Sequence, residues 1–559
     1  MEKIVSFTRK YYFIAVFTAF LLFTVRALVF ADLSGYDFLY KVKLEDGFFQ
    51  AVAFAAREIG DGVVGAFVRA GLTAFSPVVW KILCVVGLVI GDVFTAIIAS
   101  RSPLGANAKD KTLALADSLA FSSAMFAMIP SSVFVGVLSI AGTVHFVIPA
   151  ALLLAMYLAV DVFADTKRSL WYAPVLALIA ALLSWQAAIA AIVIAVWRLV
   201  SAIRAGTFRP SLAMCAVCPL AVLIAHIILW NVPRFPSDVR AGEAFGNFSG
   251  ALFGEGALYL ALTALSILVC ARMMTKHVVP VLKSKDRPSL RFTLYFALCI
   301  CAALNAAVLI LRSSLFSGVT VSISLTVTMS AITLVLLFAS YIFEIIDGKP
   351  DASAVFLLAL LVSLAAAFAT HTFGGESFYL PLVLIFVVIG REFLAVSSCR
   401  PAVAILCGVA GCYAATLCLA KGKGIIAAAI VIVVSVLAFS PLFRHIRAVE
   451  AIAALLALMT LWTVGDSFGN ASHIRAENAE RIEKNKADHK WIIVLKKGGV
   501  TLDEDQFVWY REYHGIASGV RVMFLGEGET PSEAEIGDIN GDGKVNARDL
   551  TLFTNIIGE

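Results

Sequence analysis

The sequence predicts a mainly α protein, in which a polytopic helical membrane domain of about fifteen spans precedes a small α/β module and an oxygen-rich loop. Hydrophobic residues form 60% of the chain, charged residues form 15%, and the mean hydropathy is +0.91. Many apolar runs reach the roughly 20 residues that a helix needs to cross a bilayer. From about Gly465 the composition turns polar. We therefore expect a transmembrane domain over 1–465, the α/β module over 466–530 and the loop region over 531–559.

The orientation in the membrane follows from basic residues. Lys3, Arg9 and Lys10 precede the first apolar run, Tyr12–Ala31, which predicts a first span with a cytoplasmic N-terminus. Loops assigned to the cytoplasm carry most other Lys and Arg residues, and an odd number of spans puts the C-terminus outside. The net charge of +5 is small and sits in loops between spans, so we expect membrane lipid and no nucleic acid as a partner.

Several apolar segments are too short to cross a bilayer upright. Residues 171–184 and 186–200 are separated only by Trp185, and 130–143 is expected to re-enter without crossing. Broken helices at membrane depth are tolerated where protein or a water-filled cavity covers their backbone, which predicts a cavity near the outer face. Residues 62–80 are amphipathic and are expected on the membrane surface.

Two strands and a helix are predicted beyond the last span. Trp491–Leu495 and Val520–Leu525 have strand patterns, and Phe507–Gly515 between them reads as a short helix. A charged helix over Ala476–Lys486 precedes them. The order predicts a small βαβ-like unit.

The loop near the C-terminus has the spacing of a calcium site. Side-chain oxygens recur at positions 1, 3, 5, 9 and 12 of a twelve-residue loop, Gly543 occupies position 6, and position 7 offers a backbone carbonyl. The predicted ligands of Ca²⁺ are Asp538, Asn540, Asp542, Lys544 (through its carbonyl), Asn546 and Asp549. The alternative is a tail of Asn, Asp and Gly that only forms turns.

The stretch Gly537–Leu552 closely resembles one repeat of a type I dockerin, although a complete dockerin has two such repeats. The resemblance implies a polysaccharide-handling bacterium, a cohesin domain as partner in a cellulosome-type assembly, and an extracytoplasmic C-terminus. That location agrees with the orientation derived from the basic residues.

Three short motifs carry a second resemblance: Ser34–Phe38 after the first span, Gly142–Pro149, and Phe507–Ile516. In their order, the chain from Met1 to about Phe524 resembles an uncharacterised bacterial polytopic family grouped near the GT-C glycosyltransferases. Members of that class take sugars from polyprenyl-phosphate carriers at the outer face. An acid in the first outer loop acts as base on the acceptor hydroxyl.

By position that base is Asp37, with Asp32 or Asp46 in support. A carboxylate within hydrogen-bond reach can take the hydroxyl proton as the oxygen attacks. The class often has two adjacent acids, whereas Asp32 and Asp37 are five positions apart. The alternative for Asp37 is a solvated loop acid.

Further polar residues are candidates for binding substrate, because they fall at the predicted outer ends of spans. They are His145, Gln186 and His371. Helix anchoring and turn formation are the alternatives. Arg26, Asp92, Asp117 and Glu344 lie within apolar stretches, where an ionisable group lines a cavity or forms a structural ion pair.

Three functions remain open. The first is a glycosyltransferase that uses a lipid-linked sugar, the second a membrane anchor for a cohesin-binding tail, and the third a transporter. Convergence of Asp37, His145 and Gln186 on one outer cavity would favour the first.

Overall fold

A computed structural model describes residues 2–58, 62–101, 111–127, 129–162, 171–229, 241–250, 252, 258–274, 290–311, 322–346, 352–369, 375–396, 429, 447–488, 492–498, 504–517 and 520–526. His371, the calcium-loop residues Asp538–Asp549 and the predicted spans 402–420 and 423–440 lie outside this set, apart from residue 429.

Helices dominate the described part of the chain. They are α1 (Glu2–Phe30), α2 (Asp37–Asp46), α3 (Phe48–Glu58), α4 (Val63–Ala74), α5 (Pro77–Ser100), α6 (Lys111–Ala127), α7 (Ser131–Val137), α8 (Ile140–Gly142), α9 (Ile148–Val162), α10 (Tyr172–Leu183), α11 (Trp185–Arg204), α12 (Pro210–Leu229), α13 (Ala241–Ser249), α14 (Tyr259–Met273), α15 (Leu290–Leu311), α16 (Ile323–Ile346), α17 (Ala352–Ala369), α18 (Tyr379–Val396), α19 (Arg447–Ala487) and α20 (Glu504–Tyr513). A π-helical turn, Thr143–Val147, joins α8 to α9, and a 3₁₀ turn, Gly375–Phe378, precedes α18.

Nine helical stretches within the described residues are long and apolar enough to cross a membrane. This confirms the prediction of a mainly α membrane protein. Among these nine stretches, the one that contains α18 is the most buried, with 89% of its most apolar segment inside the protein. The corresponding share for α1 is 22%. The count of about fifteen stays a prediction, because two of the predicted spans fall outside the described residues.

The predicted break is present and lies at Ser184, but the prediction that 186–200 is too short to cross a bilayer was wrong, because α11 has 20 residues and is long and apolar enough to span. The backbone at Ser184 is extended (φ −151°, ψ 127°), so α10 ends at Leu183 and α11 begins at Trp185. The Ser184 hydroxyl accepts a long hydrogen bond of 3.5 Å from the backbone N–H of Ala187, as an N-cap residue does. The chain therefore changes direction here without a glycine or proline.

The connection from α1 to α5 folds into three short helices, α2, α3 and α4. Small residues form their inner faces, where Ala55, Ala66 and Ala70 are fully buried. Large apolar side chains point outward, with Phe49 78% and Phe67 50% exposed. An apolar outer face is suited to the lipid interface, and the placement of residues 62–80 on the membrane surface stays a prediction.

The predicted βαβ order is also confirmed. Strands β1 (Ile492–Lys496) and β2 (Arg521–Leu525) pair in parallel, with Ile492 opposite Arg521, and α20 lies between them in the chain. Helix α19 runs unbroken past the expected boundary at 465/466 and reaches β1. There the Asn478 amide bonds both the N–H and the carbonyl of Lys496, at 2.8 and 2.9 Å. This clamp satisfies backbone groups at the end of an otherwise short two-stranded sheet.

Candidate functional site

Asp37 lies at the start of α2 and is fully buried against Arg69 of α4. Its Oδ1 accepts hydrogen bonds from Arg69 Nη2 at 2.8 Å and from Nε at 3.1 Å. Its Oδ2 accepts a longer bond of 3.3 Å from the backbone N–H of Ser34. The guanidinium also stacks on the ring of Tyr40, 4.8 Å from the centroid. The carboxylate and the guanidinium thus form a buried, charge-assisted hydrogen-bonded pair.

The two acids predicted to support Asp37 form their ion pairs elsewhere. Asp32 is largely exposed, and its Oδ2 lies 3.9 Å from Arg475 Nε. Asp46 is also exposed and lies 3.4 Å from Lys43. The helix α4, rather than a second acid, supplies the partner of Asp37. The sequence indicated no such role for Arg69, which lies within the amphipathic stretch 62–80.

His145 packs against the same helix, α4, at Gly65, which lies four residues before Arg69. Its Nδ1 lies 2.8 Å from the carbonyl of Leu183, at the break between α10 and α11. A Cβ added at Gly65 of α4 would approach His145 Cε1 to 2.7 Å, closer than atoms can pack. The glycine therefore permits the close approach of α4 to the π-helical turn that holds His145.

Gln186 is buried in the first turn of α11, next to this break. Its side-chain Oε1 has no hydrogen-bond partner within the described part of the chain. A buried amide oxygen without a partner is costly, and such exceptions are often found at functional positions. The predicted substrate residues His145 and Gln186 thus both lie at the Ser184 break.

His226 also packs against the start of α4, at Gly62, and was not predicted as a site residue. It lies near the C-terminal end of α12, with its ring 5.1 Å from that of Trp185. A Cβ at Gly62 would come within 2.8 Å of His226 Cε1. A lone histidine in an apolar run usually belongs to a core, and the sequence offers no signal beyond its place near a span end.

One face of α4 therefore organises the site. Gly62 caps the helix and contacts His226, Gly65 contacts His145, and Arg69 binds Asp37. Positions three and four residues apart share a helix face, which explains how three distant segments meet along one short helix. We call the polar residues in contact along this face the α4 layer: Asp37, Arg69, His145 and His226, together with Gln186.

The module helix α20 covers the other side of α2. Phe38 packs on Tyr510 and Tyr513, each with a centroid separation of 5.3 Å. A Cβ at Gly35 would lie 3.5 Å from the Gln506 side chain, in ordinary contact. The motifs Ser34–Phe38 and Phe507–Ile516 are therefore in direct contact. Burial raises the pKa of Tyr510 to about 12, so it stays a neutral phenol.

His514 ends this aromatic contact. Burial lowers its pKa from the ordinary value, and nearby Lys486 lowers it further, whereas Glu483 and Asp32 raise it. Its ring lies 6.3 Å from that of Phe38 and 4.4 Å from that of Tyr510.

The other ionisable residues at membrane depth have different surroundings. Arg26 pairs with Asp466 at 3.0 Å, and Glu344 pairs with the buried Arg272. Arg272 also binds Glu392 at 2.7 Å, which makes a buried network of three helices. These two cases match the structural ion-pair alternative. Asp92 instead lies among hydroxyl groups.

Neither His371 nor the predicted calcium ligands can be placed, because all lie outside the described residues. Glu376, five residues after His371 in the sequence, packs against Gly136 of α7. Comparison with known proteins gives no match, whether to a family model, to a curated protein or to a solved structure.

Proposed function

We propose that the protein is a membrane glycosyltransferase that takes a sugar from a polyprenyl-phosphate carrier, with the α4 layer as its reaction site. The observation that carries the proposal is that one face of α4 contacts both the candidate base Asp37 and His145. His145 in turn contacts the break between α10 and α11, where Gln186 lies. These residues come from separate parts of the chain and include two of the three motifs behind the GT-C resemblance.

Asp37 can act as base through its Oδ2. The Arg69 guanidinium donates to Oδ1, and Oδ2 accepts a bond of 3.3 Å from the Ser34 N–H; in the reaction the acceptor hydroxyl would donate to Oδ2. As the hydroxyl oxygen bonds to the sugar anomeric carbon, its proton passes to Oδ2. The bond from that carbon to the carrier phosphate breaks, and the electron pair leaves with the phosphate. The ion pair with Arg69 fixes the carboxylate in this orientation.

The surroundings fit a lipid-borne donor. The outward apolar residues of α3 and α4, Phe49 and Phe67 among them, suit contact with lipid where a polyprenyl chain would arrive. Gln186 Oε1 and His145 Nε2 are groups that could bind sugar hydroxyls, while His145 Nδ1 is held by the Leu183 carbonyl. In this proposal the α4 layer and the module lie on the extracytoplasmic side, with the N-terminus in the cytoplasm.

A second function has its own support. Asp37 is 0% exposed and tightly paired, as a purely structural acid would be. In that case the membrane domain is an anchor for the dockerin-like tail, which binds Ca²⁺ through Asp538–Asp549 and docks onto a cohesin. The third possibility is a transporter, because acids such as Asp92 are buried inside the helix bundle.

The test is transfer of a radiolabelled sugar from polyprenyl phosphate by the purified full-length protein. Asp37→Asn alone leaves Arg69 buried without its partner, so loss of activity could reflect misfolding. The double variant Asp37→Asn/Arg69→Met removes both charges, and Asp46→Asn serves as the exposed-acid control. We expect the double variant to fold but to transfer no sugar, and we expect the Asp46→Asn control to transfer sugar like the parent. Transfer by the double variant at the parent rate would assign Asp37 to structure and favour the anchor.

A further inference from the structure

A second polar cluster lies inside the helix bundle, apart from the α4 layer. It comprises Asp92 and Thr95 of α5, Ser122 and Ser123 of α6, and Tyr379 at the start of α18. Each is at most 1% exposed. A buried ionisable residue such as Asp92 within a membrane span is costly and is by default a candidate for function.

Asp92 is held by hydroxyl groups. Ser123 donates to Asp92 Oδ2 at 2.6 Å, and Ser122 donates to the Asp92 backbone carbonyl at 3.0 Å. Within the described residues, no Lys, Arg or His lies within ion-pair distance of this carboxylate, in contrast to Asp37 and Glu392. The negative charge of an ionised Asp92 is thus left uncompensated by the described side chains.

Three further oxygens in the cluster lack hydrogen-bond partners among the described residues: Asp92 Oδ1, Thr95 Oγ1 and Tyr379 Oη. The case of Thr95 is telling, because other buried threonines donate to the carbonyl four residues earlier in their helices. They are Thr24, Thr73, Thr143 and Thr263. Thr95 makes no such bond and leaves its oxygen lone pairs available for another ligand.

These oxygens lie close together. Asp92 and Thr95 are three residues apart and share a face of α5. Tyr379 Oη lies 3.7 Å from where a Cβ would stand on Gly91, the residue before Asp92 and one turn before Thr95. The absent side chain at Gly91 lets the tyrosine hydroxyl reach this face.

We propose that Asp92, Thr95, Ser123 and Tyr379 form a sodium-binding site. The donors are all oxygen, which suits a hard cation. A single carboxylate balances one positive charge, whereas calcium and magnesium sites usually draw on more acidic ligands. In this proposal a bound cation is the shared partner of the orphaned oxygens, whereas protonation of Asp92 would supply only one hydrogen-bond donor. The inference does not depend on the glycosyltransferase proposal.

The experiment measures the melting temperature of the purified full-length protein in detergent as NaCl replaces choline chloride at constant ionic strength. A cation that binds only the folded state stabilises it in a saturable manner. We expect sodium to raise the melting temperature of the parent and to have no such effect on Asp92→Asn. Thr95→Val and Tyr379→Phe each remove one hydroxyl at nearly constant shape, and we expect each to raise the sodium midpoint about tenfold. Thr24→Val is the matched control, because the Thr24 hydroxyl already bonds to the Phe20 carbonyl. Its midpoint should equal that of the parent.

Equal melting temperatures in sodium and choline would overturn the site. So would a sodium response that persists in Asp92→Asn, or midpoints that Thr95→Val and Tyr379→Phe leave unchanged. If Asp92→Asn does not fold, the two hydroxyl variants decide the question against the Thr24→Val control.

Discussion

The buried ion pair between Asp37 and Arg69 allows a quantitative prediction about stability. The Asp37 side chain is 0% exposed and that of Arg69 is 4% exposed, so neither charge would regain water if its partner were removed. Two hydrogen bonds to a charged group, at 2.8 and 3.1 Å, are lost with either residue. Breaking a buried pair by removing one partner costs about 3–5 kcal/mol of unfolding free energy. We expect Asp37→Asn and Arg69→Met each to lose an amount in that range.

The double variant should lose much less than the sum of the two single losses. With both charges gone no unpaired charge stays buried, and the expected loss falls to about 1–3 kcal/mol, the cost of leaving the buried Asn amide without a partner. Denaturant unfolding in detergent, followed by tryptophan fluorescence, measures all three variants in one double-mutant cycle. The exposed pair Lys43–Asp46, at 3.4 Å, provides a second cycle in which the coupling should be within about 1 kcal/mol of zero. Additive losses at Asp37 and Arg69 would refute the reasoning.

Three further outcomes are expected. Gly65→Ala should destabilise the protein by about 1–3 kcal/mol, because its Cβ would meet His145, whereas Gly71→Ala on the same helix meets nothing within 4 Å and should be neutral or stabilising in the same thermal melts. The lowered pKa of His514 predicts stability that is full above its ordinary pKa of 6.5 and declines as the pH falls from there toward the lowered value, since the unfolded chain takes up the proton first; His514→Gln should flatten the melting temperature against pH over this window. Binding of radioactive calcium to the full-length protein should saturate at about 10⁻⁴ to 10⁻³ M, and retention of that binding in Asp538→Ala would show that the loop is not the site.

Local patterns were sufficient for much of the fold. The two strands follow from apolar alternation, and the break beside Trp185 follows from two apolar runs that meet at a single residue, although the second run forms a helix long enough to span. Helix α19 illustrates the limit, because its passage from the last predicted span into the module crosses the composition change at Gly465. Composition reports the environment of a segment, and a helix can continue through two environments.

The candidate site depended on long-range packing, which periodicity does not encode. Asp37 and His145 were predicted from motifs, but nothing local indicated that α4 would join them. The informative residues were Gly62 and Gly65, whose missing side chains admit His226 and His145. In a single sequence such glycines cannot be distinguished from those at turns.

The continuous helix α19 gives the protein a path for mechanical load. Its 41 residues correspond to a rod of about 60 Å. Helix α19 is bound to α1 by the ion pair between Arg26 and Asp466 and by a hydrogen bond from Arg475 to the carbonyl of Phe30. Asn478 of α19 binds β1. Tension applied to the module would therefore pass along hydrogen-bonded backbone into the first helix of the bundle. A flexible tether would not transmit such a pull, whereas this connection would transmit it to α1.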